Sequence, residues 1–205
     1  MTRLARHLVL VPVPVPVLLF ALACSGAPSS TKTTSPAAPT SCPSAAVRVH
    51  AQRELDALRG CATLAGLELR GAVPFDLAPL ESLTSVDGDL AVRSTFALGS
   101  LRLPALERVT GAVIVVSNLN MSGVYLPALA SAGSVTITDG PPLVQIMLPA
   151  LTRVDGDVTF ARLPSLELVD LSTLPAVGGR LSVEGAARIE IWLGPTEATR
   201  PGSQP

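Results

Sequence analysis

The feature that most constrains this chain is an internal repeat. The segment Leu83-Thr84-Ser85-Val86-Asp87-Gly88-Asp89-Leu90-Ala91-Val92 returns as Leu106-Glu107-Arg108-Val109-Thr110-Gly111-Ala112-Val113-Ile114-Val115, and again as Leu151-Thr152-Arg153-Val154-Asp155-Gly156-Asp157-Val158-Thr159-Phe160. Self-similarity at a period of about 23 residues means that one small unit, unable to bury its apolar face alone, stacks on copies of itself. Alternating segments begin at Leu67, Leu90, Val113, Val135, Val158 and Leu181, and two residues on the same face carries Leu69, Val92, Val115, Ile137, Phe160 and Val183. A second segment in each repeat ends at Leu80, Leu103, Leu126, Leu148, Leu171 and Leu193, preceded two residues earlier by Ala78, Leu101, Val124, Ile146, Val169 and Ile191. In a chain that is 48% hydrophobic, a six-member column would be wholly apolar by chance about once in a hundred. Four such columns exclude accident.

A period of two, with one apolar face and Gly or Pro at the corners, describes strands that stack turn on turn into a mainly β solenoid of about six coils. At roughly 4.8 Å per coil, the stack is on the order of 25 to 30 Å long. The Leu-Pro-Ala-Leu segments at Leu103, Leu126 and Leu148 are read as corners, because Pro fixes its torsion and donates no hydrogen bond. Gly88, Gly111 and Gly156 are read as corner positions needing positive φ. Ser44 is placed to cap a helix over 44–59, whose apolar residues Val47, Ala51, Leu55 and Leu58 precede Gly60, and which would cover the open first coil.

Cys61 followed by Gly66-Leu67-Glu68-Leu69, the Val-Asp-Gly-Asp segments at 86–89 and 154–157, and Leu168-Val169-Asp170-Leu171-Ser172 resemble the receptor L domain. That family is a right-handed parallel β-helix of leucine-rich-like coils, found in growth-factor receptor ectodomains and some microbial surface proteins. The resemblance covers about residues 45–194, and it speaks for the fold rather than for an activity. This chain departs from the family in two ways: the coil at Leu129 to Ile137 is one residue short at its corner, and the domain is unpaired. An ordinary leucine-rich repeat wants an Asn or Cys ladder, whereas Asn occurs only as Asn118 and Asn120.

Ahead of the repeats, Arg3 and Arg6 precede an uncharged run from Leu8 to Ala23, the pattern of a secretory signal peptide over residues 1–23. Pro12, Pro14 and Pro16 and its shortness argue against a membrane span. Phe20-Ala21-Leu22-Ala23-Cys24 resembles the bacterial lipobox, in which the Cys becomes the lipid-modified first residue. The other reading is plain cleavage at the same bond, leaving Cys24 a free thiol. With Cys24 modified, Cys42 and Cys61 remain as an even pair, for which a disulfide is expected in an oxidising compartment. Residues 24–43, rich in Ser, Thr, Pro and Ala with Lys32 the only charge, read as a polar tether, and 195–205 as a disordered tail. Ser25 stands where an Asp would, in that lipoprotein family, mean retention at the inner membrane; the resemblance therefore implies an outer membrane or cell surface in a Gram-negative cell. Removing residues 1–23 takes two of the 15 basic residues and none of the 16 acidic ones, leaving 13 against 16 and a net charge of −3. No basic stripe is visible, so nucleic acid is not expected as a partner.

Composition also narrows the chemistry. His occurs only as His7 and His50, Lys only as Lys32, Tyr only as Tyr125 and Trp only as Trp192, so general base catalysis by His or Lys and a His-rich metal site have little to draw on. His50 reads as a helix-surface residue. Asp87, Asp89, Asp155 and Asp157 could be paired carboxylates or calcium ligands, but Asp-Gly-Asp is also ordinary corner chemistry, and equivalent corners carry Thr110 and Ala112 or Gly178 and Arg180. The second segment suggests more. Between its inward residues point Pro79, Arg102, Tyr125, Met147, Asp170 and Trp192, types enriched at contact surfaces, whereas the first-segment column Glu68, Ala91, Ile114, Thr136, Thr159 and Ser182 is plainer. The expectation is a surface lipoprotein, anchored to a membrane by its lipid, whose solenoid binds a protein or glycan through Arg102, Tyr125, Met147, Asp170 and Trp192. It carries no catalytic residue, metal or cofactor. A carbohydrate-active β-helix enzyme using Asp residues, or a purely structural envelope protein, are the alternatives.

Overall fold

The computed structural model of the protein describes residues 42–185 and 190–193. The leader, Cys24, most of the tether and the tail therefore lie outside the described residues. Every strand pairing is parallel, as stacked coils require. One wall is a ladder of seven strands: Val47–Val49, Leu67–Gly71, Leu90–Thr95, Arg108–Val116, Ser131–Thr138, Val158–Ala161 and Leu181–Glu184. The other wall has five: Ser100–Arg102, Gly123–Tyr125, Gln145–Met147, Leu168–Leu171 and Glu190–Leu193. The register is the one the sequence columns predict. Leu67 pairs with Leu90, Leu90 with Val113, Val113 with Val135, Val135 with Val158 and Val158 with Leu181.

Between the walls the inward residues form one continuous core. Leu69, Leu90, Val92, Leu101, Leu103, Val124, Leu126, Val135, Ile146, Phe160 and Val169 are wholly buried within it. At roughly 1.5 to 3 kcal/mol for each buried aliphatic side chain, this interior is the main force holding coil to coil. The Leu-Pro-Ala-Leu corners are hydrogen-bonded turns in which the N–H of Leu106, Leu129 or Leu151 donates to the carbonyl of Leu103, Leu126 or Leu148. Proline suits the second position of such a turn because its φ is already set. At the short coil, the register slips between Val109 and Ala112 against Ala132 and Ser134. The bulge takes up the single missing residue and restores the pairing beyond it.

Four expectations need correction. The cap over 44–59 is not a continuous helix: Val47–Val49 is a strand laid on the first coil, and only Gln52–Asp56 is helical. The open edge of Leu67–Gly71 offers backbone partners, and the Val47 N–H donates to the Gly66 carbonyl at 2.9 Å; two β-branched valines flanking an outward Arg48 suit that edge better than a helix. Leu55 and Leu58 still reach the core from the short helix and the turn after it. In the first coil, Ala78–Leu80 is a 3-10 turn in place of a strand, with Pro79 buried within it, since proline has no N–H for a ladder. Third, Gly88, Gly111 and Gly156 do not have positive φ. They are small because the corner stacks backbone on backbone: a Cβ on Gly88 would lie 2.4 Å from the Ala65 carbonyl oxygen, and one on Gly111 2.7 Å from that of Gly88. Finally, the first five coils carry a short third ladder, in which Thr63–Leu64 pairs with Ser85–Val86, and Ser85 with Arg108, Arg108 with Ser131 and Ser131 with Arg153 follow. Positive φ belongs instead to a different corner column, Ser94, Ser117, Asp139, Arg162 and Gly185.

Candidate interaction surface

The five-stranded wall turns its alternate side chains outward, because Leu101, Val124, Ile146 and Val169 commit the other face to the core. Its register aligns Arg102 with Tyr125, Tyr125 with Met147, Met147 with Asp170 and Asp170 with Trp192. All five expected residues thus fall on one outer column, but their settings differ. The Arg102 guanidinium lies 4.7 Å from the Tyr125 ring centroid, a cation–π contact that holds both side chains against the sheet. The ring folds back over its own strand onto Gly123, where a Cβ would come 2.3 Å from it. Glycine at 123 is what lets the tyrosine lie flat. Met147 is half-buried beside it. Asp170 is buried, and its carboxylate accepts the Ser172 N–H at 3.0 Å, so it shapes a turn. Trp192 is 53% exposed, with its indole N–H donating to Glu190 at 2.9 Å.

The corner aspartates are engaged within the corners, two by backbone amides and two by side chains. Asp89 accepts the Ala112 N–H at 2.8 Å, and Asp157 accepts the Arg180 N–H at 2.7 Å, each linking one coil to the next. Asp155 pairs with Arg153 at 2.6 Å, and Asp87 with the Ser85 hydroxyl at 3.2 Å. Among the described residues, no three His, Cys, Asp or Glu side chains cluster as a metal site would require. His50 is exposed, and its backbone N–H donates to the Glu54 carboxylate at 2.7 Å, which holds that carboxyl below its usual range.

A second charged feature escapes a reading by apolar columns. Arg162 grips Asp139 through two hydrogen bonds, 2.5 and 2.7 Å, and this guanidinium holds the Asp139 carboxyl down to about 2. Both residues have positive φ. Their one-coil spacing was visible in the sequence, but nothing there marked them as a corner column.

Comparison with known proteins finds a distant relative among cell wall proteins. The chain is 30% identical over 143 residues to the cell wall protein ecm33 of the fission yeast Schizosaccharomyces pombe. The match takes in 68% of this chain but 34% of that protein, so the chain spans about a third of the length of the curated relative it matches. No protein-family profile matches the chain, and no solved structure does. The parallel solenoid itself fits the architecture implied by the likeness to the receptor L domain.

Proposed function

We propose that this chain is a non-catalytic module displayed at the cell surface, which binds a protein or glycan on the outer face of its five-stranded wall. The observation that carries the reading is the Arg102–Tyr125 stack seated over Gly123, on the same column as the exposed Trp192. Flat aromatic and guanidinium surfaces held by a rigid sheet lose little side-chain entropy on binding. A surface location is supported by the leader-like pattern of residues 1–23 and by the similarity to a cell wall protein. In the finer form of this proposal, Cys24 carries the lipid and the polar tether holds the solenoid away from an outer membrane. Mass spectrometry of the purified chain tests the anchor: a lipid-modified Cys24 amino terminus supports it, and an unmodified one removes it.

The binding claim is tested by pull-down of cell-wall glycans and surface proteins with the full chain and with an Arg102→Ala, Tyr125→Ala, Trp192→Ala variant. Capture by the parent and loss in the variant, at unchanged thermal stability, is the expected result. Capture that survives the triple substitution would overturn the assignment of the face. A reducing-end assay on the same glycans checks the enzyme alternative, with no new ends expected. Of the four acids that alternative draws on, Asp89 and Asp157 are each engaged by a backbone amide of the following coil, Asp155 pairs with Arg153 and Asp87 accepts the Ser85 hydroxyl.

A further inference from the structure

The outer face of the seven-stranded wall carries a separate feature near its first coils. Strand alternation directs Arg48, Glu68, Arg70 and Arg93 outward around a shallow basin of about 610 Å³. Its floor is made of Gly66, Gly88 and Ala91, which present backbone and one methyl group in place of longer side chains. Val116 closes one side with apolar surface. The charges on the rim are unevenly matched. Glu68 serves two arginines, Arg48 at 3.2 Å and Arg70 at 3.8 Å. Asp89, the other carboxylate of the basin, accepts the Ala112 N–H. Arg93 makes no ion pair among the described residues, although the register sets it directly beside Arg70 on the adjacent strand. Like charges on neighbouring rungs repel, and an oxyanion between them would relieve the repulsion through paired N–H donors.

We infer that this basin is a binding site for an acidic sugar unit of a polysaccharide, with Arg70 and Arg93 holding its carboxylate, sulfate or phosphate group. The volume is that of a small-ligand site. The bare floor and the Val116 wall suit the C–H face of a sugar ring, and free inorganic phosphate would leave them uncovered. This site is on the opposite wall from the Arg102–Tyr125 surface and does not depend on it.

Isothermal titration of the full chain at low salt, with a galacturonate oligomer, a sulfated oligosaccharide, a neutral cello-oligosaccharide, inorganic phosphate and poly-glutamate as probes, tests the inference. Saturable binding of an acidic saccharide is expected, weakening roughly tenfold or more in Arg93→Ala and in Arg70→Ala, as loss of a charge-assisted hydrogen bond implies. Arg153→Ala, at an exposed arginine outside both surfaces, is expected to leave this affinity unchanged, which separates loss of this site from a general loss of positive charge. Equal binding of the neutral oligosaccharide, tighter binding of poly-glutamate or of phosphate alone, full affinity in Arg93→Ala, or no binding of any acidic saccharide would each overturn it.

Discussion

At the scale of single residues, the polar groups inside the coils show how little freedom the stack leaves. Asn118 is buried and accepts from both the N–H and the hydroxyl of Thr95, at 2.9 and 2.7 Å, while its amide donates to the Val92 carbonyl at 3.0 Å. Asn118→Ala leaves that N–H and that carbonyl without partners, so a loss of about 2 to 3 kcal/mol is expected in urea unfolding. The stacked glycine corner makes a paired prediction. A Cβ on Gly133 would lie 2.6 Å from the carbonyl oxygens of both Thr110 and Gly111, whereas one on Gly99 meets nothing within 4 Å. Gly133→Ala should cost roughly 1 to 3 kcal/mol, and Gly99→Ala should be neutral or slightly stabilising. At Asp139 the prediction concerns pH. Its folded pKa is lowered from 3.8 to about 2, so the contribution of its pairing with Arg162 is present above about pH 4 and fades as pH falls toward 2. Asp139→Asn should remove that part of the acid sensitivity when unfolding midpoints are compared across this window.

At the scale of elements, the amino-terminal end shows both the reach and the limit of a sequence reading. The Cys42–Cys61 disulfide joins residues 19 apart and fastens the chain beside the first coil. Replacing both cysteines by Ser should lower stability by roughly 3 kcal/mol, the loop-closure entropy returned to the unfolded chain, as measured by urea midpoint. The disulfide followed from parity and the strand registers from apolar columns, because both signals repeat or pair at long range. A continuous helix over 44–59 does not form although Val47, Ala51, Leu55 and Leu58 satisfy a helical spacing, because the deciding influence, the open edge of Leu67–Gly71, lies a coil away. The third ladder leaves no mark in the sequence, since its strands at Thr63–Leu64, Ser85–Val86 and Arg153–Val154 are two residues long, too short for alternation to register. At the candidate surface, the column from Arg102 to Trp192 was legible from period two alone. The burial of Asp170 and the basin around Arg93 were not, because each depends on which side chains stand on neighbouring rungs.

At the scale of the molecule, the central claim is that the repeats form one stack whose interior is filled by leucine and valine, leaving recognition to its outer walls. Coils that share a core should open together, since each one's inner face is completed by its neighbours. Hydrogen–deuterium exchange of the full chain measures this directly. The account predicts that amides of Leu90–Thr95, Arg108–Val116 and Ser131–Thr138, and of Gly123–Tyr125 and Gln145–Met147 on the facing wall, are protected to a similar degree and lose protection together as urea is added. Rapid exchange along either wall, or coils that open one at a time at widely different urea concentrations, would contradict it.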